Sequence, residues 1–140
     1  VALLGAGGAG SAIAVALCEA AIAAIAVHDL DAAKATRLVG VLRRAFGAVE
    51  ARAAAPDLAR CDLLVNATPV GMRPDDPLPW SLAGLRPGTI VGDVTTKPEV
   101  TPFVAAARAA GAPTVTGRDM FEGQLRAMAE FLGYPTRPEP

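Results

Sequence analysis

The sequence predicts an α/β fold: a doubly wound, mostly parallel sheet with helices on both faces. Three observations carry that reading. Short apolar runs alternate with longer segments at helical spacing. A glycine-rich turn, Gly5-Ala6-Gly7-Gly8-Ala9-Gly10, joins the first run to the first helical segment. The composition is 52 % hydrophobic but only 4 % aromatic, which suits small side chains packed closely between helices and a sheet.

The elements follow in order. Val1–Leu4 is a short apolar run ending in glycine and reads as a buried parallel strand. Gly8 to about Ala21 reads as an alanine-rich helix, and Ile25–His28 as a second strand. Asp31 then caps a helix in which Leu38, Val41 and Leu42 recur at helical spacing. Ala48–Arg52 is a third strand and Leu63–Ala67 a fourth. A loop rich in proline follows, with Pro69, Pro74, Pro77 and Pro79. Ile90–Val94 is a fifth strand, Pro102–Ala110 a helix stopped by Gly111, and Pro113–Thr116 a sixth strand. The last helix runs from about Asp119 to Leu132. Its Phe121, Leu125, Met128 and Leu132 share one face, a stripe expected to pack into the core. The domain is expected to span residues 1–133, with 134–140 a loose tail.

Charge and cysteine content exclude several classes. The 140 residues carry a net charge of −1, with 13 Lys and Arg scattered singly, so there is no footprint for nucleic acid or anionic lipid. Val1 to Cys18 is uncharged, but its glycines argue against a membrane span and no basic start marks a signal sequence. Cys18 and Cys61 form no pair at metal-ligand spacing with the single His28. They read as two buried thiols in a reducing, cytoplasmic setting, a reactive thiol being the alternative.

The glycine turn fits G-x-G-x-x-G, with Gly5, Gly7 and Gly10 in the three glycine roles, and the arrangement is that of a Rossmann fold. The first glycine permits the tight turn, the second a close approach to pyrophosphate, and the third close helix–strand packing. Asp29 lies 19 residues beyond Gly10, at the end of the second strand. A carboxylate there accepts hydrogen bonds from the adenosine ribose and repels a 2′-phosphate, which favours NAD over NADP. The alternative is that Asp29 caps the next helix, although Asp31 can do so. His28 either lies over the adenine or is a plain strand-end residue.

Three further stretches narrow the reading. They are Val65-Asn66-Ala67-Thr68-Pro69-Val70-Gly71-Met72, Asp93-Val94-Thr95-Thr96-Lys97-Pro98 with Thr101-Pro102, and Gly117-Arg118-Asp119-Met120 with Gln124. With the glycine turn, they resemble the C-terminal cofactor domain of the shikimate dehydrogenase family, which includes quinate/shikimate dehydrogenases and shikimate dehydrogenase-like enzymes. The resemblance covers Val1 to about Gly133. It implies that Gly5, Ala6, Gly7, Gly8, Ala9 and Gly10 hold the pyrophosphate. Asn66, Ala67, Thr68 and Pro69 would line the cofactor near its ribose and nicotinamide. Val94 and Gly117 match positions near the nicotinamide, and Met120 would pack beside it. Gln124 matches a glutamine that hydrogen-bonds a substrate hydroxyl. Thr96 stands where the family often has a substrate-contacting tyrosine, Lys97 replaces an asparagine, and Asp119 a glycine. His28-Asp29-Leu30 replaces the Asn-Arg-Thr-like string of NADP-using members. These departures suit a quinate-type or shikimate dehydrogenase-like branch.

The resemblance further implies oxidoreductase chemistry on a cyclic hydroxy acid, shikimate or quinate, interconverted with its 3-dehydro ketone. Oxidising such an alcohol needs a hydride acceptor and a positioned acid/base. In the resembled family that Lys/Asp pair sits in an N-terminal domain. The chain begins at Val1 without Met inside an apolar run, so the expectation is a piece of a longer polypeptide lacking that domain. The last helix is expected to pack on it and bring Gln124 to the cleft. Of the two lysines, Lys34 reads as solvated, while Lys97 has either a direct proton or substrate role or a solvated one. Asp93 reads as a loop-fixing carboxylate. A homodimer is compatible with the sequence. The competing class is an NAD-sensing regulatory module without redox turnover.

Overall fold

The computed structural model describes residues 1–73 and 75–134. Pro74 and residues 135–140, most of the expected tail 134–140, lie outside the described residues. Six strands form one parallel sheet: β1 (Ala2–Leu4), β2 (Ala24–His28), β3 (Glu50–Ala53), β4 (Leu63–Asn66), β5 (Ile90–Asp93) and β6 (Thr114–Val115). Their spatial order is β3-β2-β1-β4-β5-β6, the doubly wound arrangement expected. The helices are α1 (Gly8–Glu19), α2 (Ala32–Ala45), α3 (Pro102–Ala109) and α4 (Gly117–Phe131). A 3₁₀ turn at Leu58–Arg60 lies between β3 and β4.

Strand periodicity sorts the core into two layers. Leu3, Ile25, Val27 and Val65 point to one face, where they meet Ala14 and Cys18 of α1 and Leu38, Val39 and Leu42 of α2. Ala2, Leu4, Leu64 and Val91 point to the other, where they meet Phe103 and Ala107 of α3. In α1 the buried residues are Gly10, Ala14 and Cys18, a strip of small side chains four residues apart that lets the helix lie close to the sheet. In α2 the apolar stripe is slightly rotated from the expected one: Val39 is buried and Val41 exposed.

Local chemistry sets the helix ends. The Asp31 carboxylate accepts from Ala33 N at 3.0 Å and Lys34 N at 3.3 Å, fixing the start of α2. Thr101 caps α3 and Pro102 occupies its first turn. Thr116 and Asp119 form a reciprocal capping box at α4, which explains an aspartate where the resembled family has glycine.

The last helix departs from expectation. Its stripe does not enter the core: Phe121 and Leu125 are each 50 % exposed, Met128 59 % and Leu132 62 %. Only Gly117 of α4 is buried, so the helix is anchored at its first residue and turns its apolar face outward. An amphipathic pattern says that a face needs cover, not that the cover lies within the same domain.

Candidate functional site

The carboxyl ends of β1 and β4 are neighbours at the centre of the sheet, where the winding direction reverses and a crevice opens. Gly5 donates its N–H to His28 O at 2.8 Å, and Ala67 donates to Leu4 O at 2.7 Å, so the three loops at this edge are stitched together. Gly5 has φ +95°, and a side chain there would press on the Ala67 carbonyl. A Cβ on Gly10 would overlap the Gly5 carbonyl, so this position must be glycine for α1 to sit against the turn. No side chain caps α1 and no acid occupies its first turn. Its free N–H groups and positive dipole end are thus available to an anion. Gly7, Gly8 and Ala9 are exposed there.

Asp29 sits at the tip of β2. One carboxylate oxygen accepts from Ala6 N at 2.7 Å and the other from Asp31 N at 2.8 Å. The Ala6 N–H holds its carboxyl below the ordinary value of 3.8, partly opposed by burial; the Asp31 N–H and the nearby Lys34 charge add to the lowering. The helix-capping alternative for Asp29 does not hold, because Asp31 caps α2. Asp29 instead clamps the glycine turn and stays ionised, with lone pairs left for further donors.

A cavity of about 360 Å³ lies between these elements. It brings together the expected Gly5, Gly7, His28, Asp29, Ala67, Thr68 and Pro69. It also recruits residues that sequence reasoning missed: Leu30, Lys34, Val70, Pro79 and Trp80. Lys34 is exposed as expected, but it stands at the pocket lip. The rings of His28 and Trp80 meet edge to face, with centroids 4.9 Å apart and planes at 68°. The available signal for Trp80 was that it is the only tryptophan of the chain and stands in the proline-rich loop.

Asn66, expected to line the cofactor near its ribose and nicotinamide, turns its side chain inward. It is fully buried. Its amide donates to Val70 O at 3.0 Å and to Asp93 Oδ2 at 3.2 Å, while its Oδ1 accepts from Thr68 N and Oγ1. The side chain therefore shapes the loop that carries Thr68 rather than facing the crevice. Asp93 is 3 % exposed and accepts from Thr95 N at 2.9 Å and from Thr101 Oγ1 at 2.8 Å. Every donor it meets is neutral, and it fixes the loop as expected.

The remaining expected residues lie outside the pocket, toward β5, β6 and α4. Gly117 packs so tightly on the Val94 and Thr95 backbone that any Cβ would collide with it. Met120 is half-buried one turn into α4, whereas Thr96, Lys97 and Gln124 are exposed. Arg118 bridges Glu99 at 3.2 Å and Glu122 at 2.8 Å, tying the β5–α3 loop to α4. Burial pushes the Cys18 and Cys61 thiols up, away from nucleophile behaviour. Among the described residues, no His/Cys/Asp/Glu cluster could hold a metal ion, and no helix is long and apolar enough to cross a membrane.

Fold and crevice together define a Rossmann-type domain. Comparison with known proteins then specifies its kin. No protein-family model matches the chain. It is 41 % identical over 124 residues to a shikimate dehydrogenase (NADP(+)) of Streptomyces avermitilis, covering 84 % of this chain and 42 % of that protein. The solved quinate dehydrogenase from Corynebacterium glutamicum in complex with NAD superposes with a TM-score of 0.75 at 36 % identity, over 85 % of this chain and 44 % of that one. The ligand-free 5-ketofructose reductase of Gluconobacter sp. strain CHM43 superposes with a TM-score of 0.85 at 33 % identity, over 97 % and 51 %. The chain is a homologue of the shikimate/quinate dehydrogenases over most of its length and shares their fold. It spans under half the length of the curated relatives it matches.

Proposed function

We propose that the chain is the NAD-binding domain of a dehydrogenase that interconverts a cyclic hydroxy acid, of the shikimate or quinate kind, with its 3-dehydro ketone. The observation that carries this reading is the Asp29 carboxylate, held on the Ala6 N–H at the lip of the crevice. The residues present fit a dinucleotide: an uncapped helix start, a glycine turn with no room for side chains at two positions, and an acidic strand end beside a cavity. Gly5 to Gly10 would hold the pyrophosphate and Asp29 the adenosine ribose, at the cost of repelling a 2′-phosphate. Thr68 and Pro69 would border the cofactor as it crosses the sheet edge. Val94, Gly117 and Met120 would border its far end, with Thr96 and Gln124 toward the substrate. The nicotinamide, when bound, accepts the hydride.

The proton must go to a base. Asp93 is buried and already accepts three hydrogen bonds, and Lys97 is exposed outside the crevice. A separate domain therefore supplies the acid/base in this reading, and the relatives' greater length supports it. The exposed face of α4 supplies a surface for that domain to cover. The NAD-sensing alternative has no comparable support.

A second reading is a reductase of an open or cyclic sugar ketone. The likeness to 5-ketofructose reductase favours it, since that superposition covers nearly the whole chain. One assay tests both. NAD(H) and NADP(H) turnover is followed with shikimate, quinate and 5-ketofructose, using the protein expressed from its complete reading frame. NAD-linked turnover of either acid supports the first reading. Turnover confined to 5-ketofructose replaces it with the second, and NAD binding without any turnover returns the sensing module.

A further inference from the structure

The pocket holds two aromatic rings, and the proposed function above assigns no role to Trp80. We propose that Trp80, cornered against His28, is the seat for the purine ring of the cofactor and a determinant of its affinity. The inference rests on the dinucleotide reading above and deepens it.

The chain path places the ring there. From β4, at the centre of the sheet, the loop runs back past β1 until Trp80 touches His28 at the end of β2. That is the side of Asp29, and in a doubly wound fold the acidic strand end marks the adenosine half of the crevice. Trp80 does not dangle. It is half-buried and backs onto the core layer of Leu64, Val91 and Phe103, alongside Leu82 and Leu85. Pro79 precedes it and also lines the cavity, restricting the backbone. Two rings at 68° make an open corner in which a flat base stacks on one face while its edge meets the other ring. Among the residues lining the cavity, His28 and Trp80 are the only aromatic ones. Stacking is indifferent to the hydrogen-bonding edge of the base, so this corner contributes affinity, while Asp29 selects at the ribose.

Because Trp80 is the only tryptophan, the chain reports on this corner directly. Its emission is titrated with NAD, with ADP-ribose, which lacks the nicotinamide, and with nicotinamide mononucleotide, which lacks the adenosine. The proposal expects NAD and ADP-ribose to change the emission alike and nicotinamide mononucleotide to leave it unmoved. By calorimetry, Trp80→Leu should raise the Kd of NAD and ADP-ribose about tenfold, and Trp80→Phe should recover most of the loss. The emission of the unsubstituted chain decides the matter if Trp80→Leu does not fold. NAD binding with unmoved emission, a response to nicotinamide mononucleotide alone, or unchanged affinity in Trp80→Leu overturns the inference and leaves the dinucleotide reading standing. Calorimetry showing no binding of NAD or ADP-ribose to the unsubstituted chain overturns both.

Discussion

The Asp29 carboxylate accepts the Ala6 backbone N–H at 2.7 Å, across 23 residues of sequence. One side chain therefore does two things: it braces the glycine turn, and it presents a negative charge at the lip of the crevice, where the proposed reading puts the adenosine ribose. Removing it should act on both. Asp29→Ala is expected to weaken NAD binding about tenfold, the scale of one lost charge-assisted hydrogen bond, and to narrow the preference for NAD over NADP. Calorimetric Kd values for the two cofactors check this. An unchanged ratio removes Asp29 from cofactor selection.

Gln124 stands apart from the cavity, exposed on α4. Gln124→Ala should raise the KM for the hydroxy acid several-fold and leave the Kd of NAD untouched. Steady-state kinetics of the complete protein, beside NAD calorimetry, separates the two. A parallel loss of NAD affinity contradicts a substrate role.

Asp93→Ala would strip acceptors from Asn66, Thr101 and Thr95, all of them buried. Unsatisfied buried donors cost roughly 1–3 kcal/mol each, and partial relaxation brings the expected loss of stability to about 3 kcal/mol. Urea denaturation measures it. A loss under about 0.5 kcal/mol would show that the network does not hold these loops.

Acid should loosen the fold. The carboxyls of Asp29, Asp76 and Asp119 are all held below the ordinary value of 3.8, chiefly by the backbone N–H groups of Ala6, Arg73 and Thr116 respectively. The unfolded chain therefore takes up these protons at a higher pH than the folded one. Their contribution is complete above the unfolded value and disappears as the pH falls through the depressed folded values. Urea midpoints should be level from neutral pH down to about 5 and then drop, with a shallower drop in Asp119→Asn. A midpoint that rises on acidification contradicts the assignment.

The two kinds of leucine should respond differently. Leu64→Ala empties a fully buried site and should cost about 3 kcal/mol, whereas Leu125→Ala, half exposed on α4, should cost under about 1 kcal/mol in the isolated chain. Denaturation of both variants checks this. A large loss for Leu125 would mean that α4 is integral to this core.

Much of this architecture is readable in the residues. Apolar runs of strand length, the position of Gly10, the Asp31 cap and the acidic end of β2 are local features, and local chemistry fixes them. What escaped depended on distance. The apolar stripe of α4 is the same pattern whether the helix is covered by its own sheet or by something else. The inward turn of Asn66 depends on Asp93, 27 residues away, offering a buried acceptor. Trp80 belongs to the crevice only because the loop after β4 doubles back to His28, and spacing alone does not encode such a path.

The loop after β5 has one more property. Both of its ends are tied to a single carboxylate, Thr95 at the start and Thr101 at the finish. The segment between them is a closed handle whose anchorage on Asp93 leaves the side chains of Thr96 and Lys97 exposed, while Glu99 adds its bridge to Arg118. Such a handle can be rewritten cheaply. Substitutions at Thr96 and Lys97 can change the chemistry of this exposed face while the sheet, the α3 cap and the crevice beside the glycine turn go undisturbed, so one scaffold tolerates rewriting at a few exposed positions.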